Sequence, residues 1–137
     1  MDIIEERIRA LRDEYGIFPD PQELFEYLIE KNKTQPHLEP ELKTDEYIVK
    51  GCVSSLWLVP SFSDGKCYFK SDADSLITRA VASLVCSLYS GLTPAEVARL
   101  DPACLAEVNI STHLSPNRRN GLSQLCAKIE AFAKSKI

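Results

Sequence analysis

The chain lacks closely spaced cysteine pairs, long apolar runs, glycine-rich loops and basic tracts, and each absence removes a class of function. Its five cysteines stand at 52, 67, 86, 104 and 126. None of them adopts the C-x-x-C spacing that brings two thiols to one ion, so a sequence-local zinc or cluster site is excluded. Free thiols in a reducing compartment are expected, mostly as small buried hydrophobes. The longest apolar stretches, such as residues 56–60, fall far short of the ~20 residues that cross a bilayer. Residues 1–6 carry neither a basic nor an apolar leader, which gives the expectation of a cytoplasmic protein without membrane attachment. No Lys/Arg run exceeds Arg118-Arg119 and the formal net charge is −4. Such a chain is a poor counter-ion for phosphate backbones, and nucleic acid is not an expected partner. No phosphate loop, G-x-S-x-G or H-E-x-x-H is present, so hydrolase and nucleotidase readings lack support.

What is there fits one globular domain spanning residues 1–137, with 45% hydrophobic and 26% charged residues. Charge is uneven: thirteen acids stand against six bases up to Tyr47, and seven against ten beyond it. The later, mildly basic part suits an acidic protein partner. Ile4, Ile8 and Leu11 recur at helical spacing in a first helix over residues 2–14. Asp20-Pro21-Gln22-Glu23 predicts the capped start of a second helix, running to about Lys33. Residues 34–46 hold two prolines and little periodicity, and read as an ordered surface loop in which His37 is an exposed bystander. Residues 47–49, 56–59 and 67–69 read as strands, with a turn signal at Ser63-Asp64-Gly65 and Pro60 closing the middle strand or marking its edge. Ile77, Val81, Leu84 and Leu88 form a central helix stopped by Gly91, with Asp72 and Asp74 as its caps. Thr93-Pro94, Asp101-Pro102 and Ser115-Pro116 are three further helix starts. The expected fold class is α+β: two N-terminal helices, a three-stranded antiparallel meander, then about four C-terminal helices on one face of the sheet.

Two segments carry candidate chemistry. Gly51-Cys52 lies between two strand-like runs, where glycine removes bulk and a loop tip can present a thiol. The Lys50 ammonium beside it favours the thiolate, the reactive form in sulfur chemistry. The alternative is a buried cysteine at a strand start with a surface lysine next to it. The segment from His113 to Gly121 joins a histidine, a helix N-terminus, Arg118 and Arg119, which suits an anion or a partner's carboxylate. The alternative there is a plain helix cap with solvated arginines. Cys67, Cys86, Cys104 and Cys126 all fall where packing explains them.

Residues 49–58 (Val-Lys-Gly-Cys-Val-Ser-Ser-Leu-Trp-Leu), then Ser71-Asp72-Ala73-Asp74, Leu92-Thr93-Pro94 and residues 113–122 (His-Leu-Ser-Pro-Asn-Arg-Arg-Asn-Gly-Leu) resemble, in order and spacing, the SufE family of sulfur-acceptor proteins. The resemblance spans about residues 20–135. It implies that Cys52 is a persulfide-forming cysteine and that Arg118 is the motif arginine, with Lys50, Gly51, Asp74 and His113 in supporting or docking roles. Glutamines common after the family's cysteine and serine are replaced here by Val53 and Ser55. The resemblance further implies the fold shared with IscU-type scaffolds, no bound cofactor or metal, and a SufS-like cysteine desulfurase as partner, itself using pyridoxal phosphate. A SufBCD-type Fe–S scaffold would then be the downstream acceptor. The implied activity is that of a persulfide carrier that accepts sulfane sulfur, stimulates the desulfurase and is not an independent catalyst. Val53, Leu56 and Trp57 are expected to shelter the thiol. An Fe–S scaffold or metal carrier of IscU type, and a non-catalytic adaptor of a desulfurase, are the alternatives.

Overall fold

A computed structural model describes residues 2–50 and 55–137. Local signals set the helix boundaries. In α1 (Ile3–Tyr15), Ile4, Leu11 and Tyr15 turn inward. Asp20 caps α2 (Pro21–Asn32): its carboxylate accepts the Glu23 N–H at 2.9 Å, and Pro21 sits where no backbone donor is needed. The loop that follows wraps the surface, with one 3-10 turn at Pro40–Leu42.

β1 (Leu56–Ser63) and β2 (Lys66–Ala73) form an antiparallel hairpin in which Leu56 stands opposite Ala73 and Ser63 opposite Lys66. Asp64 and Gly65 make the two-residue turn with φ of 52° and 76°, the positive angles that match strand twist. The expected third strand is corrected. Residues 47–49 add a single bridge, Ile48 opposite Trp57, held by the Val49 N–H on the Leu56 carbonyl at 2.7 Å and the Leu58 N–H on the Tyr47 carbonyl at 2.9 Å. The next position on that edge is Pro60, which has no N–H to continue the ladder. The described sheet therefore has two strands, and Pro60 marks its edge without closing the strand.

Leu56, Leu58, Cys67, Phe69 and Ala73 alternate onto one buried face. There α3 (Leu76–Tyr89) packs on β2 and α6 (Pro116–Lys134) on β1, so the helices sit on one face as expected. α2 covers α3 from outside, and Arg7 of α1 donates to the carbonyls of Ser87, Leu88 and Ser90 at 2.9 to 3.1 Å, closing the C-terminal end of α3. Gly91 ends this helix at φ 84°. α4 (Pro94–Arg99) carries a full capping box between Thr93 and Glu96. α5 (Cys104–Glu107) starts two residues after the expected Asp101-Pro102, because Asp101 spends its carboxylate on the Ala103 N–H at 2.9 Å.

The caps assigned to α3 are also corrected. Ser75 caps it, with Oγ accepting the Thr78 N–H. Asp72 instead lies fully buried near the end of β2, where its carboxylate takes the Leu38 and Ala73 N–H groups, Arg79 Nε and Lys43 Nζ at 2.9 to 3.1 Å. His37 is no bystander: its ring is solvent-exposed, yet Nδ1 stands 3.1 Å from the same carboxylate. Arg79 is buried too and donates to the Gln35 carbonyl at 2.7 Å, so one acid ties the surface loop to the sheet and to α3.

Candidate functional site

Gly51 and Cys52 lie outside the described residues, as do Val53 and Ser54, so the site is built from what flanks them. On one side stands exposed Lys50, following the paired residues 47–49; Lys128 of α6 donates Nζ to the Ile48 carbonyl at 2.7 Å and ties this run to the helix. On the other side stands Ser55, whose carbonyl accepts the Asp74 N–H at 3.0 Å. Asp74 is exposed in the bend between β2 and α3, and its contribution to this tie is the backbone group.

Leu56 opens directly onto a pocket of about 270 Å³ between α3 and the first turns of α6. Its walls are mostly apolar, with Ile77, Val81, Leu114, Leu122 and Leu125 among them, while Ser75, Thr78, Ser115, Asn117 and Arg118 supply polar groups. Gly121 also lines it. Ser115 fixes the start of α6 by accepting the Arg118 N–H at 3.3 Å, which sets the Arg118 side chain at the pocket's rim. The pocket thus brings Leu56 and Arg118 together from two separate motifs, and adds Ser75, which directly follows a third. His113 is not part of the wall: it is exposed in a 3-10 turn (Ser111–His113), and its neighbour Leu114 lines the pocket instead.

Trp57 departs from expectation as well. Strand alternation sends Leu56 and Leu58 inward and Trp57 to the opposite face, where Lys43 Nζ stands 5.3 Å from its ring centroid. Of the residues expected to shelter the thiol, Leu56 alone among the described ones lines the pocket. The wall contributed by α3, Thr78 and Val81 above all, was missed in the sequence; its signal was the helical spacing of Ser75, Thr78, Val81 and Ala82 on one face.

The four described thiols are buried, as packing led one to expect. Burial pushes Cys86 up to about 11 and Cys126 to about 12, and raises Cys67 and Cys104 in the same direction. These groups stay protonated at neutral pH and are weak nucleophiles and ligands. Among the described residues no three His, Cys, Asp or Glu side chains gather as a metal site. Asp72 behaves oppositely: burial alone would raise it, but Lys43, the Ala73 N–H, His37 and the Leu38 N–H together hold it down at about 2.

The model of the SufE family, described as an Fe–S metabolism associated domain, matches residues 9–133. The chain belongs to the SufE family. It is 32% identical over 127 residues to an uncharacterized SufE-like protein of Rhizobium etli, covering 89% of this chain and 86% of that one. It is also 32% identical over 104 residues to SufE-like protein 1 of Arabidopsis thaliana, whose name carries the words chloroplastic and mitochondrial; the match covers 75% of this chain and 28% of that protein. A hypothetical protein of Thermus thermophilus, solved in solution, superposes with a TM-score of 0.75 over 95% of each chain at 16% identity, which shows the shared fold. This SufE-family chain therefore takes part in Fe–S metabolism, and no helix among its described residues is long and apolar enough to cross a membrane.

Proposed function

We propose that this SufE-family protein is a persulfide carrier that accepts sulfur from a cysteine desulfurase on Cys52 and passes it toward Fe–S cluster assembly. The observation that carries the reading is the convergence of two motif segments on one pocket beside the Cys52 flanks: Leu56 of the first and Leu114, Ser115, Arg118 and Gly121 of the last line it, with Ser75, the residue after the 71–74 motif, between them. Sequence order supports it further, because Cys52 precedes by three residues Ser55, whose carbonyl is held by the Asp74 N–H and whose neighbour Leu56 lines the pocket. The other four thiols are buried and held protonated, which leaves Cys52 as the nucleophile.

In the transfer, the Cys52 thiolate attacks the outer sulfur of the desulfurase's cysteine persulfide. A new S–S bond forms at Cys52, the old one breaks, and the desulfurase thiolate leaves and takes up a proton. Sulfane sulfur moves without net oxidation or reduction. Arg118 at the pocket rim supplies a fixed cation for the partner's carboxylates, while the apolar walls keep water and reductants from the persulfide between transfers. The test is turnover of the desulfurase with each variant. Cys52→Ser abolishes stimulation, whereas Cys86→Ser preserves it; stimulation that survives Cys52→Ser overturns the reading.

A further inference from the structure

Leu76 is the first residue of α3 and is 69% exposed. Among the described residues, the other large apolar side chains more than half exposed are Ile17 and Ile137, and both lie outside any helix or strand. Leu76 is different: its neighbours on both sides, Ser75 and Ile77, line the site pocket, and the residue before them, Asp74, holds the Ser55 carbonyl. Nothing in the first turn of a helix requires leucine, and α3 buries its packing residues elsewhere along its length. Arg118 lines the pocket, Arg119 follows it in α6, and Lys50 follows Val49, whose N–H is held by the carbonyl of pocket-lining Leu56. These three cations are exposed and make no ion pair among the described residues, and exposed Asp74 precedes pocket-lining Ser75.

An apolar centre inside a polar rim is the anatomy of an energetically focused protein interface. We propose that Leu76 and the pocket mouth are the anchor of the desulfurase docking surface, and that the matching desulfurase surface is an apolar socket ringed by carboxylates. The occupant follows from charge and place. Arg118 in the pocket wall and the cations adjoining it in the chain, Lys50 and Arg119, outnumber adjoining Asp74, whereas the chain as a whole is acidic, so this end selects an acidic surface at the site where sulfur arrives. The inference rests on the persulfide-carrier reading, since the desulfurase is the partner that must reach this end of the molecule.

The test measures binding of the full-length protein to a purified SufS-type cysteine desulfurase, alongside iodoacetamide alkylation of Cys52 in the free protein. Leu76→Ala weakens binding about fivefold to thirtyfold, and Leu76→Asp weakens it further, because the aspartate meets like charge. Alkylation rate and melting temperature stay at wild-type values, as Leu76 makes no core contact that either depends on. Ile17→Ser, an equally exposed apolar position on another part of the surface, leaves binding unchanged. Added salt weakens the wild-type complex through its rim charges. Wild-type affinity in both Leu76 variants overturns the docking inference while the carrier reading stands. A wild-type protein that binds the desulfurase but never acquires sulfur on Cys52 overturns the carrier reading instead.

Discussion

The two faces of the hairpin near residues 56–73 are built in opposite ways. On one face, Asp72 is fully buried and its carboxylate meets Arg79, Lys43, His37 and two backbone N–H groups, so the buried charge is fully paired. On the other, Leu56 opens to a pocket lined by Arg118, which makes no ion pair among the described residues, with exposed Asp74 next to pocket-lining Ser75. The first arrangement holds three segments together. The second leaves cationic and apolar groups available to another molecule. Paired buried charge secures the fold at Asp72, while an exposed cation beside an apolar pocket is left for another molecule.

Substitution on the two faces should therefore separate stability from activity. Asp72→Ala has the largest expected effect, lowering stability by about 3–5 kcal/mol because it strands the buried Arg79 guanidinium. Chemical denaturation measures it as a fall in midpoint at constant slope; a loss under about 1 kcal/mol would show that the network is ornamental. Arg118→Ala is the converse. It weakens activation of the desulfurase by about 1.5–3 kcal/mol while changing stability by less than about 0.5 kcal/mol, read from titration of desulfurase rate and from the same denaturation curve.

Acid sharpens the contrast. Asp72 is held at about 2 against an ordinary value of 3.8, so its contribution is complete above that ordinary value and disappears as pH falls toward 2. The stability difference between wild type and Asp72→Asn shrinks by about 2 kcal/mol across that window, whereas Arg118→Ala tracks wild type throughout. Lys128→Met, which removes the Nζ donor from the Ile48 carbonyl, has the smallest expected effect, about 1 kcal/mol or less, because that group is exposed to water. Its denaturation midpoint measures the tie directly.

The sequence revealed what is decided locally. Asp20-Pro21, Thr93 with Glu96, and Ser115-Pro116 each satisfy their own first turn, and Asp64-Gly65 turns the hairpin without help from elsewhere. It concealed what is decided at a distance. The role of Asp72 depends on Lys43, His37 and Leu38, which lie about thirty residues away and reach it only once the loop folds over the sheet. The third strand failed for a similar reason: residues 47–49 read as β-forming, but their partner edge presents Pro60 at the next rung. The facing of Trp57 was legible in principle, since inward Leu56 and Leu58 force their neighbour outward. The site lay between these cases. Its motifs are visible one by one, and their convergence on a single pocket appears only when α3 and α6 pack on the sheet.

Sulfur transfer itself gives the most direct test. The protein is incubated with a cysteine desulfurase and L-cysteine, then blocked with an alkylating agent, digested and analysed by mass spectrometry. The account predicts that the peptide holding Cys52 gains one sulfur atom, about 32 Da, while the peptides holding Cys67, Cys86, Cys104 and Cys126 do not. Sulfur on any of those four, or none on Cys52 when the desulfurase is turning over, would contradict it.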